Sequence, residues 1–80
     1  MDISYYIDKI IVQREIIRKY DECIKQNLAL VKRYKAEGNE EGVKFWMDMV
    51  KKVRSWRRDS EKFINDYLDR IEEIRKNEQQ

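Results

Sequence analysis

The sequence predicts an all-α fold, an antiparallel two-helix hairpin with a coiled-coil-like seam, on three observations. There is no proline, and both glycines fall within Glu37-Gly38-Asn39-Glu40-Glu41-Gly42, the one strong break in 80 residues. On either side of it, apolar and aromatic residues recur at seven-residue spacing. The two patterns also meet the break in phase, so that like rows fall opposite each other when the chain folds back. The expected organisation is a single domain over 1–80, with a first helix over about 3–37, a hinge at 38–42 and a second helix over about 40–76.

The first helix starts after Asp2, a candidate N-cap. Ile3, Ile10, Ile17, Ile24 and Val31 form one heptad row, a; Tyr6, Gln13, Tyr20, Asn27 and Tyr34 form the next, d. β-branched residues beside a polar-tipped row make a coiled-coil seam, in which Gln13 and Asn27 cost stability and fix register. Ile16, Cys23 and Leu30 widen the stripe along g, as in a bundle of more than two helices.

At the hinge, Gly38 suits the left-handed residue past a helix end and Asn39 the next N-cap, with Glu40 and Glu41 placed favourably in the first turn. In the second helix Val43, Val50, Arg57, Ile64 and Ile71 take a; Trp46, Val53, Ser60, Tyr67 and Ile74 take d; Met49, Trp56 and Phe63 take g. Arg75 and Lys76 sit near its C-terminal end, where the helix dipole favours cations. Each helix is then roughly 50 Å long at ~1.5 Å per residue. Matched row to row, Val31 faces Val50 and Ile10 faces Ile71, Tyr34 faces Trp46 and Tyr6 faces Ile74, and Cys23 faces Trp56. Arg57 and Ser60 interrupt the seam with a polar layer, in which Arg57 pairs with Asp21 and Ser60 bonds Tyr20.

A lone hairpin leaves the g rows uncovered on one side. Ile16, Cys23, Leu30, Met49, Trp56 and Phe63 are therefore the expected dimer interface, through which two hairpins form a four-helix bundle; a different protein docking there would satisfy the same surface.

Composition narrows function by exclusion. There is no histidine, and a single cysteine forbids an intrachain disulfide. No glycine-rich phosphate loop or zinc-ligand spacing occurs, and the paired carboxylates Asp21/Glu22 and Glu72/Glu73 diverge on a helix. Cys23 lacks a base to activate it and reads as a small buried hydrophobe. No catalytic residue, metal, cofactor or small-molecule substrate is expected. No apolar run approaches a membrane span and no signal segment opens the chain, so the expected location is cytoplasmic, without membrane contact. Ten isoleucines against two alanines hint at an AT-rich natural gene.

Charge is balanced overall, 18 basic against 16 acidic, but unevenly placed. Residues 14–58 hold 13 basic and 7 acidic side chains, a local +6; the remainder, with 5 and 9, is −4. Arg18, Lys25 and Lys32 on the first helix and Lys44, Lys51 and Arg58 on the second share heptad position b, and Arg14, Lys35 and Arg54 join them from e, a basic face turned away from the g rows. The expected function is non-enzymatic binding of a macromolecule. The first reading is a small regulator, adaptor or inhibitor of the kind phages and mobile elements encode. It would dock on a protein through Phe45, Trp46 and Met47, steered by Lys44, Lys51, Lys52, Arg54 and Arg58. The alternative is a dimer binding nucleic acid through the basic face.

Overall fold

A computed structural model describes residues 2–79. Two α-helices, α1 (Ile3–Ala36) and α2 (Glu40–Glu78), fold back on each other into a rod of 64 × 14 × 13 Å. The chain is an all-helical hairpin. α2 runs to Glu78, past the expected Lys76, and keeps Arg75 and Lys76 in its last turn.

The reversal is compact because the Arg33, Tyr34 and Lys35 carbonyls at the end of α1 all accept bonds from the turn. Gly38 adopts φ 72°, the left-handed region that a side chain disfavours. Its N–H donates to the Lys35 carbonyl at 3.1 Å, and the Asn39 N–H donates to the Tyr34 carbonyl at 2.9 Å. This pair of bonds is the Schellman closure of a helix end. Asn39 then caps α2, its Oδ1 accepting from the Gly42 N–H at 3.0 Å, as its position in the sequence predicts. The other expected cap does not form. Asp2 makes no side-chain bond to the helix backbone, and its carboxylate accepts from the Ser4 hydroxyl at 2.8 Å instead.

Burial follows the a and d rows. Val50 and Val53 are sealed, at 0% and 1% exposure, and Ile10, Asn27, Ser60 and Ile71 are buried with them. The facing register differs from a like-to-like match. Tyr34 packs on Gly42, Tyr20 meets Trp56, and Tyr6 meets Tyr67. Each of these contacts lies one or two turns nearer the hinge than expected. The cause is interdigitation: a side chain inserts between residues of the facing helix, so a residues of one helix lie level with d residues of the other. Asp21 pairing with Arg57 beside the Tyr20–Trp56 contact puts Tyr20 (d) level with Arg57 (a).

Candidate functional site

The polar layer lies near mid-length. Arg57 Nε donates to Asp21 Oδ1 at 2.7 Å, the expected pair, and a second guanidinium nitrogen reaches Glu61 one turn along α2. The Asp21 carboxylate and then Glu61 hold the Arg57 guanidinium above its ordinary value. Ser60 and Tyr20 do not bond each other; the Tyr20 ring lies against the Trp56 indole, centroids 6.2 Å apart. One turn nearer the hinge, Asn27 Nδ2 reaches Cys23 Sγ at 3.6 Å. Cys23 is half-buried, a part of the seam edge rather than of its centre.

Two flanks run along the rod on either side of this seam. On the first, Ile16, Cys23, Leu30 and Met49 are half-buried, while Trp56 and Phe63 stand 47% and 50% exposed. Position c extends this flank with exposed Tyr5, Val12 and Phe45. The apolar strip therefore reaches close to both ends of the rod.

The opposite flank is basic toward the hinge. Arg14, Lys25, Lys32, Lys35, Lys44, Lys51, Arg54 and Arg58 are all exposed and none makes an ion pair among the described residues. Arg18 differs: its guanidinium is held between Glu15 and Glu22 on its own helix, so it adds little positive field. Lys52, at position c, stands on the apolar flank, away from the other steering residues. Beside the free lysines lies a recess of about 590 Å³ between the helices, with Val31, Val43 and Met47 as its apolar floor and Lys35 and Lys44 at its edge.

Phe45, Trp46 and Met47 do not form one cluster. Consecutive helical residues diverge by about 100°, which sends them in three directions. Phe45 is exposed on the apolar flank; Trp46 sits in the seam, half-buried and edge-on to Phe45 at 5.0 Å; Met47 lines the recess on the basic flank. Only Met47 lies among the basic residues expected to act with it.

The structure also holds a surface that heptad reading passed over. Near the open end of the hairpin, Ile7, Ile11 and Leu68 are exposed and form, with Ile10 and Ile71, a groove of about 650 Å³ between α1 and α2, flanked by Arg14 and Arg75. The signal was present in the sequence: apolar residues occupy e and b at the terminal end, where the hinge end has lysine and arginine.

Among the described residues no helix is long and apolar enough to cross a membrane, and no group of three or more His, Cys, Asp or Glu side chains is gathered as metal ligands. No protein-family model matches the chain, and no curated protein or solved structure is significantly similar to it.

Proposed function

We propose that this chain is a non-enzymatic docking protein, a small regulator, adaptor or inhibitor that pairs with a second copy and presents its basic flank to a protein client. The observation that carries this reading is the presence of two separate sticky surfaces on opposite flanks. One is an apolar strip containing Trp56 and Phe63. The other is the flank of unpaired lysines and arginines, on which Lys35 and Lys44, with Glu40, border the recess floored by Val31, Val43 and Met47. A single covering copy occupies one flank and leaves the other outward. Exposed aromatics on the first suit a self-complementary core, whereas charge beside a small apolar recess suits recognition of an acidic surface with an apolar anchor.

The test is capture from the native host followed by reconstitution with the purified partner. Binding should weaken at least tenfold in the Lys44→Glu/Lys51→Glu/Arg58→Glu variant and fall with added salt; a partner held equally well by that variant sinks the reading. Met47→Asp should have the same effect through the recess.

A second reading, nucleic-acid binding, is favoured by the same unpaired basic residues, because cations free of carboxylate partners are available to phosphates. It predicts salt-sensitive mobility shifts with generic duplex DNA or RNA, lost in the triple charge reversal. Absence of any shift at low salt removes it.

A further inference from the structure

We infer that two copies pair antiparallel, hinge end to open end, across the flank bearing Trp56 and Phe63. This rests on the dimer proposed above and adds its orientation and its symmetry axis.

The apolar rows supply the axis. On α2, Met49 and Phe63 lie seven residues either side of Trp56; on α1, Ile16 and Leu30 lie seven either side of Cys23. Trp56 and Cys23 are close to one layer of the rod, because Trp56 contacts Tyr20 and Arg57 pairs with Asp21. A twofold axis through that layer, perpendicular to the rod, sets α1 on α1 and α2 on α2. It then places Phe63 of each copy on Met49 of the other, Ile16 on Leu30, and Trp56 on its own counterpart. Each patch is thereby its own complement, the requirement of an isologous interface.

Packing alone does not choose this orientation. A parallel pair would set Trp56 over Cys23 of the other copy, a large residue on a small one, which is equally acceptable. Nor does the rim choose: the antiparallel pair brings Lys52 near Asp59 of the other copy, and the parallel pair brings Lys19 there. The long-range charge chooses. On the hinge side of the Trp56–Cys23 layer, residues 24–55 carry 8 basic and 4 acidic side chains, +4, and the remainder carries 10 and 12, −2. A parallel dimer stacks the two +4 halves side by side, whereas an antiparallel one lays each basic half toward an acidic one. The outcome also bears on docking, since the antiparallel dimer offers two basic surfaces at opposite ends of the rod.

Nitroxide labels read the orientation directly. In full-length Cys23→Ala protein, a label at Glu37→Cys lies about 14 residues from the axis, so antiparallel copies hold the two labels ~40 Å apart and parallel copies under ~20 Å apart. A label at Ser4→Cys, at the open end and outside the interface, should give a still longer separation of ~55 Å. Long distances at both sites, with a dissociation constant that rises between about 0.05 and 0.5 M salt, are the expected result. Short distances at both sites overturn the orientation and leave the dimer standing. A 9.9 kDa particle by light scattering with no coupling between labels removes the dimer and this inference together.

Discussion

The hinge half and the open half of the hairpin share one heptad pattern and use it differently. Toward the hinge, Val50 and Val53 lose essentially all contact with solvent, Asn27 is buried against Cys23, and the chain reversal is closed by three backbone and side-chain bonds around Gly38 and Asn39. Toward the open end, the seam holds Tyr6 against Tyr67 with ring centroids 6.1 Å apart, and Ile7, Ile11, Val12 and Leu68 remain exposed around it. The difference teaches where each half gets its stability. The hinge half is tethered by the turn and leaves few large apolar groups exposed, Leu28 and Phe45 among them; the open half exposes Tyr5, Ile7, Ile11, Val12, Phe63 and Leu68, more apolar surface than one hairpin covers.

The sharpest way to break this comparison is to place the same charge in each half. Val50→Asp puts a carboxylate where exposure is 0%, and should cost above about 4 kcal/mol, enough to unfold a domain of this size. Ile11→Asp, at a position 59% exposed, should shift stability of the isolated chain by less than about 0.5 kcal/mol. Chemical denaturation monitored by far-ultraviolet circular dichroism reads both. Equal losses at the two positions would mean that the open half is covered in solution by something beyond a single hairpin.

Next in size is Gly42. A β-carbon built there lies 2.7 Å from the Tyr34 ring, so the helices approach at this point only because the residue is glycine. Gly42→Ala should cost about 1–3 kcal/mol as an overpacked contact. The companion Tyr34→Leu, by removing the ring that the new methyl strikes, should recover part of that loss in the double variant. No recovery would place the cost in the helix start and not in the ring contact.

These residues also mark what the sequence could reveal. The hinge was legible because its chemistry is local: a left-handed backbone favours glycine, and an N-cap favours asparagine, whatever the rest of the chain does. The seam was legible because a period of seven over five repeats leaves few alternatives to paired helices. Register was not, since it depends on how closely the hinge shuts and on side chains interleaving instead of meeting like to like. The open-end groove lies outside the a, d and g rows; its signal in the sequence is Ile7 and Leu68 at e and Ile11 at b, apolar departures from the basic pattern. Of Phe45, Trp46 and Met47, the two rings touch edge-on while Met47 turns to the recess, because consecutive helical residues diverge by about 100°. Arg57 with Asp21 was readable because a half-buried guanidinium demands a carboxylate within reach.

A smaller effect sharpens the claim that the hinge is held by specific bonds. Asn39→Ala removes the acceptor for the Gly42 N–H and should cost about 1 kcal/mol, with Asn39→Ser recovering most of it. Hydrogen exchange should then quicken first at the start of α2, before the open end changes. A variant whose open-end amides exchange faster while the start of α2 stays protected would contradict the division between the halves.

The smallest effect comes from surface charge. The hydrogen bond from Arg18 holds the Glu15 carboxyl below its ordinary value, with Coulombic attraction to Arg18 and Lys19 adding to it. A carboxyl whose folded-state pKa is depressed contributes stability above its unfolded value, near 4.3, and that contribution is lost as pH falls through the lower folded value. Melting temperatures of the native chain and of Glu15→Gln should therefore differ slightly near neutral pH and converge in acid. Glu15 and Arg18 are both exposed, so the difference should also shrink in high salt, unlike those at Val50 and Gly42, which are set by packing. A gap between the two melting curves that persists below about pH 3 would assign the effect of the substitution to helix propensity and not to the ion pair.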